Sequence, residues 1–180
     1  MMSRSDRSHE SLPYTHTAYI GVGSNLGDKA DNCRKGIAAV NRCEACMVET
    51  QSPLYETEPV HLECQDWFVN GVARIRTDLE PETLLARLKA IEHAMGPRPG
   101  EVRFGPRTLD LDILLYDDRI LRTRLLEIPH PRLHQRRFVL RPLCNIAPEL
   151  VHPVFGQTMQ SLLSDLKDGN KKAALYKCDY

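Results

Sequence analysis

The order of predicted elements (strand, helix, strand, strand, helix, strand) assigns this chain to the α+β class, as a ferredoxin-like split βαβ fold. The expectation is an antiparallel sheet with helices on one face and C-terminal additions. Two observations carry it. Residues 67–76 (WFVNGVARIR) alternate with the period of a strand, and Leu84, Leu85, Leu88, Ile91 and Met95 recur with the period of a helix.

Thr17 to Val22 (TAYIGV) reads as the first strand, and Gly23 to Asp28 (GSNLGD) supplies turn chemistry. Ala30, Cys33, Ile37 and Val40 then mark a helix over about 28–42. Met47 to Tyr55 is predicted as a second strand and residues 56–66 as a long loop, a place where function often sits. In the alternating strand Trp67, Val69, Gly71, Ala73 and Ile75 share one face, expected to be core. Phe68, Asn70, Val72, Arg74 and Arg76 share the other. Pro81 suits a first helical turn and Gly96 a helix end. Residues 97–107 (PRPGEVRFGPR) hold three Pro, two Gly and three Arg, which predicts an exposed basic loop. Thr108 to Tyr116 is the next strand, and Asp117-Asp118 turns the chain. A helix over about 134–145, bent or broken at Pro142, and a short one over 161–166 follow.

The 180 residues suffice for one domain, expected over 18–166, between a leader (1–17) and a C-terminal tail (167–180). Lys+Arg and Asp+Glu both number 24, so bulk charge points to neither nucleic acid nor membrane. No apolar run approaches the ~18 residues of a membrane helix. Cys43 and Cys46 form a CxxC without the second pair a structural zinc site needs, and the cysteines read as scattered reduced thiols. The expectation is a cytoplasmic monomer.

The strongest chemical signal is Asp110 and Asp112. Two apart on a strand, they point the same way with Cα atoms ~6.5–7 Å apart, a pair of oxygen donors suited to Mg²⁺. A bare Asp-x-Asp fits a solvated polar face equally well. Arg98, Arg103 and Arg107 in the preceding loop favour the metal reading, because phosphoryl transfer needs positioned cations. His130, between two prolines, fits a phosphate contact or an anchor of its own loop. Arg132, Arg136, Arg137 and Arg141 form a second basic group, pairing by helical spacing as Arg132/Arg136 and Arg137/Arg141. Phe138, by composition alone, reads as core. No GxxxxGK[ST] and no GxGxxG is present.

At this level of detail the chain resembles a family. Residues 104–114 (FGPRTLDLDIL), 18–27 (AYIGVGSNLG), 128–131 (IPHP) with Arg136 and Phe138, and 146–150 (IAPEL) match in order the motifs of 6-hydroxymethyl-7,8-dihydropterin pyrophosphokinases. The resemblance spans about 18–166. It implies transfer of pyrophosphate from ATP to the hydroxymethyl group of the pterin, in folate biosynthesis. It implies Asp110 and Asp112 as ligands of two Mg²⁺ ions, and Phe68 and Phe138 as the two faces around the pterin ring, with Asn70 bonding its edge. Thr57, Pro59 and Val60 complete that pocket. Glu92, Arg103, Arg107, Ile113, His130 and Arg136 lie around ATP, with Arg103 and Arg107 stabilising transition-state charge. Three departures stand out. Phe104 replaces a common Trp, Phe68 replaces the Tyr of some members, and Gly96-Pro97 replaces Gly-Arg, so that Arg98 takes the ATP contact.

Two alternatives share parts of this pattern. Another Mg²⁺-dependent nucleotidyl or phosphoryl transferase would keep the acids and arginines but lack the flat slot of Phe68, Asn70 and Phe138. The other is a non-catalytic ferredoxin-like binding module for nucleic acid or a regulatory ligand, whose RNA-binding version would carry aromatics and basic groups where this chain has Asp110 and Asp112.

Overall fold

The structure, a computed structural model, describes residues 14–58, 66–96, 106–167 and 173–176. Among them lie β1 (His16–Ser24), α1 (Lys29–Asn41), β2 (Cys46–Gln51), β3 (Tyr55–Thr57), β4 (Phe68–Thr77), α2 (Pro81–Met95), β5 (Asp110–Tyr116), β6 (Leu121–Arg122), β7 (Glu127–Ile128), α3 (Arg137–Ile146), α4 (Met159–Ser164) and β8 (Ala173–Leu175). The main sheet runs β5-β1-β4-β3-β8, with β2 also on β4, and its pairings are all antiparallel. The mixed α+β class and the antiparallel sheet expected from the sequence are both present.

Local chemistry explains the elements. Asp28 caps α1 by accepting from the Asp31 N–H at 3.0 Å. Pro81 opens α2, and Gly96 closes it at φ 144°, a value side chains rarely adopt. The predicted strand 47–55 is two strands. Ser52 and Pro53 interrupt it, because Pro53 has no N–H to pair and the Ser52 hydroxyl accepts the Val72 N–H at 3.0 Å. The expected loop from residue 56 begins later, since Glu56 and Thr57 complete β3. The helix predicted from residue 134 splits into a 3₁₀ turn (Leu133–Gln135) and α3, which runs through Pro142 unbroken. Arg136 sits between them with extended backbone, so Arg132 and Arg136 share no helix face.

Residues 1–13 lie outside the described part of the chain. Tyr14 and Thr15, placed in the leader by the sequence reading, are already tied down. The Tyr14 hydroxyl donates to the Glu44 carbonyl, and the Thr15 N–H donates to Asp78. At the other end, Ala173–Leu175 extend the sheet along β3 rather than trailing away.

The sheet has two buried faces. On the first, Ala18, Ile20 and Val22 of β1, Val69, Ala73 and Ile75 of β4, and Leu111 and Ile113 of β5 pack against Ala30, Cys33 and Val40 of α1 and Leu84 and Leu88 of α2. The second face is half covered. Tyr19, Val72, Leu114 and Leu115 pack against α3 and α4 through Val139, Leu140, Leu143, Met159, Leu162 and Leu163. A register shift on β5 opposite Tyr19 and Ile20 turns both Leu114 and Leu115 to that side. The helices expected on one face are therefore α1 and α2, while the C-terminal additions occupy part of the other. Beyond Tyr19 the second face of β1 reads Gly21, which Leu114 still covers, and Gly23, where the Asn70 amide takes over.

Candidate active site

The open end of the second face is built on two glycines. Gly21 lies opposite Asp112 on β5 and Val72 on β4, and Gly23 lies opposite Asp110 and Asn70. The sheet thus lines up Asp110, Gly23 and Asn70 across three adjacent strands. The two acids face this side because Leu111, between them, is fully buried in the first core. The Asp110 and Asp112 side chains are 26% and 39% exposed, open enough to receive a ligand.

Cations approach both acids. Arg107 Nη1 lies 2.8 Å from Asp110 Oδ1, and Lys89 Nζ lies 3.7 Å from Asp112 Oδ1. Lys89 also binds Glu92 at 2.6 Å and donates to the Leu111 carbonyl at 3.0 Å. Glu92, only 6% exposed, takes the Leu111 N–H at 2.6 Å with the same oxygen. Its carboxylate therefore holds α2 to β5.

Arg136 adds positive charge from the C-terminal half. Burial lowers its pKa to about 10, with nearby Arg132 pushing the same way and Asp112 and Asp110 opposing. His130 is lowered from its ordinary value by burial first and by Arg136 second, which favours the neutral ring. Its backbone N–H donates to the Leu114 carbonyl at 2.9 Å, and its ring Nδ1 accepts from the Arg132 N–H at 3.1 Å. The loop-anchor reading of His130 thus has contacts behind it, and its ring lies within electrostatic reach of Arg136 and Asp112.

On the opposite flank, Asn70 Nδ2 donates to the buried Thr57 hydroxyl at 2.6 Å. A Cβ on Gly23 would stand 2.6 Å from Asn70 Oδ1, so the amide lies directly over the glycine. Phe68, half-buried, pairs with Thr57 in the β3–β4 ladder. Phe138 opens α3 at the margin of the second core rather than inside it, with the Arg136 guanidinium 5.3 Å from its ring centre. Ile113 points away, into the first core. Pro59, Val60, Arg98 and Arg103 lie outside the described residues.

The structure therefore gathers Asp110, Asp112, Arg107, His130, Arg136, Glu92, Phe68, Asn70, Thr57 and Phe138 around one end of the sheet. Lys89 was not singled out from the sequence. Its signal is its place three residues before Glu92 on one helix face. The donor set around the acids fits Mg²⁺, being hard carboxylate oxygens open to solvent on one face. Among the described residues no group of three or more His, Cys, Asp or Glu side chains is close enough to hold a metal by protein alone. An ion here would take its remaining oxygens from water or a substrate.

The chain is 43% identical over 149 residues to the folic acid synthesis protein fol1 of Schizosaccharomyces pombe, covering 83% of this chain and 20% of that one. It is 44% identical over 133 residues to the 2-amino-4-hydroxy-6-hydroxymethyldihydropteridine pyrophosphokinase of Bacillus subtilis, covering 74% and 79%. The chain thus spans about a fifth of the fungal relative and most of the bacterial one. The crystal structure of Plasmodium falciparum HPPK-DHPS wild type with pteroate shares the fold, with a TM-score of 0.69 at 16% identity over 85% of this chain and 42% of that one. A model of the 7,8-dihydro-6-hydroxymethylpterin-pyrophosphokinase family matches residues 19–148, the span that holds every site residue just described, and the chain belongs to that family.

Proposed function

We propose that this chain transfers the terminal pyrophosphoryl group of ATP to the hydroxymethyl group of 6-hydroxymethyl-7,8-dihydropterin, releasing AMP and the pterin diphosphate, as a step of folate biosynthesis. The observation that carries the proposal is the alignment of Asp110, Gly23 and Asn70 across β5, β1 and β4. In this reading the acids handle phosphate and the surface edged by Asn70 takes the ring, side by side on one sheet face.

In this reading the pterin ring lies between Phe68 and Phe138, with its edge toward Asn70 and Thr57 and with Pro59 and Val60 completing the pocket. Aromatic faces and an amide suit a planar heterocycle. The ATP phosphates lie toward Arg107, His130 and Arg136, with Arg98 and Arg103 joining from the preceding loop and Glu92 and the Ile113 backbone bordering the nucleotide. Asp110 and Asp112 would hold two Mg²⁺ ions, which supply charge neutralisation at the transferring group. The chain's own part is positioning. Gly23 leaves room for the Asn70 amide, Asn70 sets the ring's edge, and Arg107 stabilises charge on the β-phosphoryl oxygens as the pterin hydroxyl displaces AMP.

The same reading takes the fold as ferredoxin-like. It is supported by the order β5-β1-β4-β2 of the six expected elements, in which β4 separates two strands joined through α1. It also takes the chain as a cytoplasmic monomer that binds small molecules rather than nucleic acid or membrane. Among the described residues no helix is long and apolar enough to cross a membrane.

Product analysis tests the function. Chain, ATP, Mg²⁺ and 6-hydroxymethyl-7,8-dihydropterin are mixed and the nucleotide product is identified. Pterin-dependent AMP is expected, with a loss of at least about 100-fold in Asp110→Ala and Asp112→Ala chains. Pterin-dependent ADP would replace the proposal by phosphoryl transfer, and no turnover would reject it.

A further inference from the structure

The turn between β1 and α1, Asn25 to Asp28, is held by specific side-chain bonds. The turn is braced from α1, where Asn32 Nδ2 donates to the Leu26 carbonyl at 2.8 Å and reaches the Ser24 hydroxyl at 3.4 Å. Ser24 and Asn25 are 0% and 1% exposed, so this turn forms part of the buried frame. Asn25 grips Arg107 at two points. The Arg107 N–H donates to Asn25 Oδ1 at 2.8 Å, and the Asn25 N–H donates to the Arg107 carbonyl at 3.2 Å. The two residues are 82 positions apart.

That grip fixes the backbone of Arg107 immediately before β5, and the Arg107 guanidinium meets Asp110 three residues later. A backbone clamped on both its polar groups leaves the side chain a defined origin. A misplacement of ~1 Å at a catalytic contact costs on the order of 100-fold in rate.

We infer that Asn25 is a positioning residue for Arg107. Its side-chain oxygen sets where the Arg107 guanidinium stands relative to Asp110 and the transferring phosphoryl group, without touching substrate itself. The inference rests on the pyrophosphoryl-transfer reading above.

The test compares wild type, Asn25→Ala, Asn25→Asp, Arg107→Ala and the Asn25→Ala/Arg107→Ala double variant. kcat, both KM values and the urea midpoint are measured for each. Asn25→Ala is expected to lower kcat by about 10- to 100-fold with the KM for pterin within about threefold. Asn25→Asp keeps an oxygen where the Arg107 N–H points, and is expected to recover kcat to within about fivefold of wild type. In the double variant the two losses should not multiply, because Asn25 has nothing left to position; its kcat should lie within about threefold of Arg107→Ala alone.

Wild-type kcat in Asn25→Ala would overturn the inference. So would losses that multiply in the double variant, or an Asn25→Ala loss matched by its unfolded fraction and not recovered by Asn25→Asp. A wild-type chain that makes no AMP would overturn the functional reading and, with it, this role. A competent wild type with any of the other outcomes would overturn the role of Asn25 alone.

Discussion

Gly23 carries a hydrogen where any other residue would carry a carbon, and Asn70 lies in the space this leaves. The carbon would stand 2.6 Å from Asn70 Oδ1, closer than non-bonded atoms tolerate. Asn70 is held by Thr57 and cannot swing aside without breaking that 2.6 Å bond. Gly23→Ala is therefore expected to raise the KM for pterin by at least about tenfold while leaving ATP affinity within about twofold, as read from steady-state kinetics and calorimetry. Equal losses for both substrates would place the damage elsewhere. At this scale the acids were legible in the sequence, because a period of two puts Asp110 and Asp112 on one face whatever the rest of the fold does. Asn25 was not, because its partner lies far along the chain and only the closed fold brings them together. Phe138 shows the same limit. Composition alone reads it as core, and it lies at the core's margin because α3 starts there.

Among the elements, β8 is the one the sequence reading left as tail. It is three residues long and has no alternation to betray it, since Ala173, Ala174 and Leu175 are all apolar. Its pairing is long-range: Tyr55 with Leu175, Glu56 with Ala174 and Thr57 with Ala173. The Tyr176 N–H also donates to the Leu54 carbonyl at 2.9 Å, and its side chain packs against the first core. β3 is thereby held on both sides, between β4 and β8. A chain ending at Lys167 loses these bonds, at about 1 kcal/mol each. Its thermal midpoint is expected to fall by about 5–10 °C. Because Thr57 lies on β3, its KM for pterin should rise more than its KM for ATP. An unchanged midpoint would show that β8 adds nothing to β3. The break at Ser52-Pro53 was half legible, since Pro53 marked trouble in a strand. What the pattern could not give was that both pieces would pair with the same long β4.

Across the whole molecule, two cores on opposite faces of one sheet share the load, and the connection between α3 and α4 holds a buried histidine against His134 and Phe155. His152 is 3% exposed, and burial, followed by His134, lowers its pKa from 6.5 to about 4. In the unfolded chain it protonates near pH 6.5; in the folded chain it stays neutral until about pH 4. The unfolded state thus binds the extra proton between these values, so stability is full above about pH 6.5 and falls as the pH drops toward 4. The loss from this residue is on the order of 2 kcal/mol. Urea titrations of wild type and His152→Phe at pH 7.5 and 4.5 check it. The wild type should lose more stability than the variant across that interval, and equal losses would remove His152 as the cause. The sequence located the first core through its alternation and helical stripes. It did not locate the second, because there the sheet's inward residues are few and α3 and α4 are short.

β5 lies at one end of the sheet order, with β1 on one side and, among the described residues, no strand on the other. Its outer backbone is nonetheless engaged: Glu92 takes the Leu111 N–H, Lys89 supplies the Leu111 carbonyl, and His130 supplies the Leu114 carbonyl. Side chains and a loop thus occupy the outer backbone groups of Leu111 and Leu114, where a further strand would bond. An open margin of this kind is where one chain recruits another into an intermolecular sheet. The contacts that steady the acids' strand therefore also occupy positions at which a second chain would bond.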